Sequence, residues 1–262
     1  MKLKVSCNLH FQITEASVLI LMLRPYRGCQ QWVNHESFTL EPALPIMEST
    51  DSQGNASQRL LATGSDVFIH TSAEVIVDDQ VDIHPGAHFV EIQHLPHDVM
   101  PYLLPSRYCE SDRFGVLARE ITADITPGYD QVSAISAWVS ANILYQPGSS
   151  EFPLSAAEVH PQGHGVCRDL AQMGIALCRS ISIPARLVVG YLYNLQPMDL
   201  HAWFEAYIGG RWYTFDPTQS VLQGGRVIIA YGRDAADVAI FHQFGAGCLL
   251  NNMDVSVELL DN

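Results

Sequence analysis

"HAWFEAYIGGRWYTFDPT", residues His201–Thr218, decides how the surrounding chain folds. Gly209 and Gly210 stand between two aromatic-rich arms, and a glycine pair suits the left-handed two-residue turn of a β-hairpin. Such a turn pairs Ile208 with Arg211 and, counting back along the ladder, Trp203 with Asp216. Side chains alternate between the faces of a strand, so His201, Trp203 and Asp216 share one face. His201 and Asp216 are then diagonal neighbours within hydrogen-bond reach. A carboxylate in that place fixes the tautomer of an imidazole and stabilises its charged form.

Upstream lies "GHGVCRDLAQMGIALCRS", Gly163–Ser180. Its periodicity predicts a helix that opens at Cys167, carries an apolar face of Leu170, Met173, Ala176 and Leu177, and ends before Pro184. Thiolate is the nucleophilic form of cysteine, and the free N–H groups and partial positive charge of a helix N-terminus favour it. Cys167 holds that place, whereas Cys178 reads as buried filler. Cys167 is therefore the candidate nucleophile, His201 its proton acceptor and donor, and Asp216 the group that orients His201. The backbone N–H of Cys167 is one candidate oxyanion contact, and Gln162, five residues upstream, is a second. Arg168 and Asp169 are placed to pair at the helix start. Trp203 is expected to pack in the hairpin and to wall the cleft.

The 262 residues are enough for a large domain or two modest ones. With 48% hydrophobic and 16% charged residues, the chain is a folded globular one. It carries 14 Lys+Arg against 28 Asp+Glu, a net charge of −14, with no basic cluster to neutralise phosphates, which excludes nucleic acid as the expected partner. The apolar run Val18–Leu23 is too short to span a bilayer and reads as a buried strand, so no membrane association is expected. The six cysteines show no paired spacing and follow no secretory signal, which suggests reduced thiols in the cytoplasm.

Residues 1–100 read as a β-rich N-terminal domain, from the strand-like runs "KLKVSCNLHFQI", "VLILML", "VFIHTSAEVIVDD" and "HFVEI". The polar stretch Ser49–Gln58 reads as a loop or hairpin tip, and "HLPHDVMPYLLPSRY", with three prolines, as an extended connector. Residues 101–262 read as the catalytic core with further C-terminal strands. Within it, Val132, Ile135, Val139 and Ile143 recur at helical spacing, and Pro147-Gly148 marks a stop. The fold class expected is α+β.

"GVCRDLA", "HAWFEAYIGGRWYTFDPT" and "YGRDAADV" together resemble bacterial transglutaminase-like proteins, a family often described as cysteine proteases. The family's Cys, His and Asp fall on Cys167, His201 and Asp216, in order and 34 and 15 residues apart. The resemblance covers roughly residues 95 to 250, with "LLPSRY" as lead-in, and extends more weakly to the β-rich N-terminal region. It implies a papain-like core, with the cysteine on a helix packed against an antiparallel sheet that carries His and Asp. It also implies amide chemistry through a thioester, on a protein or peptide substrate. No calcium site of animal transglutaminases is matched, so no cofactor or metal dependence is carried over.

Two metal readings compete. His84, His88, His94 and His97 crowd one stretch, but no cysteine or carboxylate completes a ligand set. His160, His164 and Cys167 have a spacing that suits zinc, but this reading leaves the pairing of His201 with Asp216 unexplained. Amide hydrolysis is the favoured function, since water needs no dedicated acceptor site. Transfer to a primary amine and a catalytically silent interaction module are the alternatives.

Overall fold

In the computed structural model, which describes residues 1–260 apart from Cys29, Glu151 and Ala239, every residue from Asp169 to Arg179 is buried. The helix that contains them, Cys167–Ser180, is therefore enclosed all round rather than along the single apolar face expected from its periodicity. Three further helices precede it: α1 (Gly115–Ile121), α2 (Tyr129–Asn142) and α3 (Ala156–Gln162), making Cys167–Ser180 α4. Val132, Ile135 and Val139 of α2 are fully buried, as their spacing requires, and Ile143 caps its C-terminus.

The next four strands after α4 form a four-stranded antiparallel sheet. Numbered along the whole chain, they are β9 (Ala185–Leu192), β10 (His201–Ile208), β11 (Arg211–Phe215) and β12 (Arg226–Gly232), in the spatial order β11-β10-β9-β12. Ile208 pairs with Arg211 across Gly209 and Gly210, which adopt φ of 58° and 91°, so the hairpin has the turn and register expected. Helix α4 packs on β10 so closely that a Cβ on Gly174 would lie 2.6 Å from the Phe204 ring. Only a residue without a side chain fits there.

The N-terminal part contributes β1 (Lys2–Ile13), β2 (Ser17–Leu21), β3 (Gln31–Glu41), β4 (Ile46–Thr50), β5 (Ala56–Ala62) and β6 (Asp66–Val77). The short strands β7 (Leu144–Tyr145) and β8 (His164–Gly165) pair in parallel beside α4, and β13 (Phe241–Phe244) and β14 (Cys248–Leu259) close the chain. The last two join the N-terminal strands, in sheets ordered β14-β1-β6-β3 and β13-β2-β5-β4. The unit expected over residues 101–262 thus gives its final strands to the β-rich layer, because antiparallel pairing ignores distance along the chain. One apolar core runs through both parts, from Leu3 and Phe11 to Leu170 and Phe204.

Two segments depart from expectation. "HFVEI" forms no strand; His88 makes a single bridge to Gly128. The proline-bearing connector is not extended but folds into 3₁₀ turns at Ile92–His94 and Met100–Leu103, the second with proline early in the turn, where a missing N–H costs nothing. Leu95 and Val99 then pack on Tyr207, covering the face of the sheet away from α4.

The edge strand β12 is closed by side-chain amides of the N-terminal layer. Gln31 accepts from the N–H of Ile228 at 2.7 Å and donates to its carbonyl at 2.8 Å. Asn55 does the same for Tyr231, at 2.8 Å in both directions. Two amides thus stand in for a neighbouring strand and leave no open edge.

Candidate active site

The approach to Cys167 is built around a buried carboxylate. Asp169, fully buried at the third position of α4, accepts hydrogen bonds from the N–H of Val166 at 3.1 Å and of Leu154 at 3.3 Å, and from the Ser150 hydroxyl. Arg168 pairs with it at 3.2 Å, as its position suggested. A Cβ on Gly165 would come within 2.9 Å of the Asp169 Cβ, so the glycine two residues before the cysteine lets the chain pass over the carboxylate. The N–H groups of Asp169 and Leu170 turn back to the Val166 carbonyl, and those of Cys167 and Arg168 begin the helix ahead of any intrahelical acceptor.

Cys167 is partly exposed, whereas Cys7, Cys109, Cys178 and Cys248 are buried; Cys29 lies outside the described residues. Burial pushes the Cys178 thiol up, as suits a filler, and the Cys7 thiol up to about 12.

His201 and Asp216 meet on one face of the sheet. The Nε2 of His201 lies 2.7 Å from Oδ2 of Asp216, and both side chains are sealed from solvent. Burial alone would make the imidazole less basic, but the Asp216 charge and hydrogen bond, with a smaller contribution from Cys167, outweigh it and push His201 up to about 9. The sulfur is close enough to raise that basicity, although Nδ1 has no aligned hydrogen-bond partner among the described residues. For Asp216, burial is again the largest influence and opposes ionisation; His201, Arg226 and Thr218 overcome it and hold the carboxyl well below the usual range.

Three further residues take part. Thr218 gives Asp216 Oδ1 two donors, its hydroxyl at 2.7 Å and its N–H at 3.1 Å. Arg226 donates to Oδ2 at 2.8 Å. Tyr145, paired with Gly165 across β7 and β8, has its phenol pushed up to about 12, first by burial and then by the acidic groups Cys167, Asp199 and Asp216. Threonine in "FDPT" is the one signal legible locally, since Asp and Thr two residues apart make a side-chain-closed turn.

Two expected site residues sit differently. Trp203 is 1% exposed and walls no open cleft; its ring backs that of His201 at 6.1 Å between centroids. Gln162 is exposed at the end of α3, and its amide donates to the His164 carbonyl at 3.0 Å. Neither histidine cluster gathers for a metal: among the described residues no group of three or more His, Cys, Asp or Glu has ligand geometry. His160 instead lies against the rings of Phe114 and Trp138.

Residues 116–217, which include Cys167, His201 and Asp216, match the family model of the transglutaminase-like superfamily. The whole chain superposes on the crystal structure of "a putative cysteine protease" from Cytophaga hutchinsonii, with a TM-score of 0.94, 38% identity and 91% of that chain covered. The chain belongs to the transglutaminase-like superfamily. The α+β fold, with its β-rich N-terminal region, is therefore shared along the full length with that relative. The chain is also similar to ML0607 of Mycobacterium leprae, at 30% identity over 167 residues and 59% of that protein's length. It is 26% identical to YebA of Bacillus subtilis over 144 residues, 20% of that protein's length. Among the described residues no helix is long and apolar enough to cross a membrane.

Proposed function

We propose that this protein is a cysteine-nucleophile hydrolase of amide bonds in a protein or peptide substrate, working through Cys167, His201 and Asp216. The observation that carries the reading is the 2.7 Å bond from His201 to Asp216, which commits Nε2 and leaves Nδ1 to serve the Cys167 sulfur. The relative described as a putative cysteine protease supports it.

In this reading the thiol proton moves to His201, and sulfur attacks the carbonyl carbon. Negative charge collects on the oxygen beside the N–H of Cys167. The imidazolium gives its proton to the leaving amine, the C–N bond breaks, and an acyl thioester remains. Water, deprotonated by the neutral imidazole, attacks the thioester; the acid departs and the thiol is restored. Gln162 would serve as a further oxyanion donor through the second N–H of its amide, the first being held by the His164 carbonyl. Trp203 holds the imidazole plane.

Alkylation of the native protein with iodoacetamide near pH 6 tests the nucleophile. Fast, selective modification of Cys167, lost in His201→Ala, is the expected result. Equal or absent labelling of all six cysteines would overturn it and leave a silent interaction module. Incubation with a labelled primary amine and a peptide library separates the two chemistries: hydrolysis without amine incorporation is expected, and incorporation without hydrolysis would make the protein an acyltransferase.

A further inference from the structure

Asp216 Oδ2 serves two cations. His201 Nε2 reaches it at 2.7 Å and Arg226 Nη1 at 2.8 Å, while Oδ1 is occupied by Thr218. Arg226 is 9% exposed. Its Nε is anchored to the Gln223 carbonyl at 3.0 Å, its guanidinium lies 4.9 Å from the Trp203 ring centroid, and that ring backs His201. Asp216 closes the end of β11 and Arg226 opens β12, with β10 and β9 between them, so the 217–225 loop carries the arginine across the sheet end. That loop is pinned from the N-terminal layer: Gly225 N–H bonds the Asp78 carbonyl at 3.0 Å, and a Cβ on Gly224 would strike the Asp79 backbone at 2.3 Å.

Resting on the triad reading above, we propose that Arg226 is a positioning residue of this site: it fixes the Asp216 carboxylate and limits how tightly that carboxylate makes His201 hold its proton. With Asp216 alone beside it, a buried imidazolium gains a full ion pair and becomes a reluctant acid toward the leaving amine. A second cation on the same oxygen divides the attraction and repels the imidazolium directly. The groups facing His201 are Asp216 and Thr218 after β11, Arg226 of β12, Cys167 of α4, Asp199 in the loop before β10, and Tyr145 of β7 beyond the cysteine. Arg226 is the fixed positive charge among them.

The test follows the His201 ring by NMR from pH 5 to 11 in unmodified protein, with the resonance assigned by its loss in His201→Asn. Arg226→Met removes the charge and keeps most of the volume; Arg226→Gln removes the charge and keeps a donor to Asp216; Arg226→Lys restores a cation. The titration midpoint should rise by about 1 pH unit in whichever neutral variant folds and return toward the native value with lysine. An unchanged midpoint in a folded neutral variant would overturn the proposal. So would failure of all three variants, lysine included, to fold, since Arg226 would then act by packing. A native midpoint near that of a free histidine, or no selective alkylation of Cys167, would sink the triad reading itself and be told apart by appearing before any change at Arg226.

Discussion

Gly190 lies directly opposite His201 on the neighbouring strand, and a Cβ there would come within 2.1 Å of the Val227 carbonyl oxygen and 3.0 Å of the Trp203 ring. The histidine is thus held between a strand with no side chain at that point and a tryptophan behind it. Gly190→Ala is expected to force β9 and β12 apart, costing about 3 kcal/mol or more, since the obstacle is backbone rather than a movable side chain. Urea unfolding gives the cost, and Cys167 alkylation should slow with it. Native-like unfolding in the variant would show that the sheet yields at this point.

The dependence of stability on pH should carry the mark of His201. Its folded value is raised to about 9 above the ordinary 6.5, so its contribution is complete below pH 6.5 and is lost as pH climbs through 9. The size is about 3 kcal/mol, as an order of magnitude for a buried pair. Asp216 is depressed, so its contribution is present above pH 3.8 and fades only as the medium becomes more acid. Urea midpoints should decline between pH 6.5 and 9, and His201→Asn should flatten that decline. A native profile level across the interval would contradict the ion pair.

Asp169→Ala is expected to cost about 2–4 kcal/mol, because several donors are stranded at once and a helix start loses its anchor. Ser150, Leu154 and Val166 all rely on this carboxylate. Alkylation of Cys167 should fall and lose its selectivity, while Asp169→Asn should recover part of the stability. Alkylation kinetics unchanged in the alanine variant would show that the segment before the cysteine holds its own shape.

Gln31→Ala and Asn55→Ala test the seal on β12. Each leaves a buried N–H and carbonyl without their amide partner, a loss of about 1–3 kcal/mol. Hydrogen exchange should quicken at Ile228 in the first variant and at Tyr231 in the second. Equal protection in variant and native protein would mean that burial, and not the two amides, shields these N–H groups; the Ile228 carbonyl keeps a donor in either case, the Tyr26 N–H at 2.8 Å.

What could be read from residues alone follows how local each signal is. The hairpin register came from two glycines and alternation, and it placed His201 beside Asp216; the helix start at Cys167 came from periodicity. Strand β3, "QWVNHESFTLE", went unread because it is largely exposed and polar, so no apolar alternation marks it. Arg226 was invisible for another reason: its contact skips two strands, and nothing near residue 226 records the presence of residue 216. For Asp169 the residues indicate only a pairing with Arg168 at the helix start; its burial involves Ser150 and Leu154, nineteen and fifteen positions earlier, which no local pattern records. The connector was misread because proline suits both an extended strand and the first position of a tight turn.

The pairing of β1 with β14 sets Leu3 directly across from Leu259. Residues 3 and 259 could therefore be bridged by a short glycine-rich linker and new ends opened at the exposed Thr63–Gly64 turn between β5 and β6, with each strand keeping its partners. In such a circular permutant the order of residues along the polypeptide would be reshuffled while the shape that holds sulfur, imidazole and carboxylate together stayed the same.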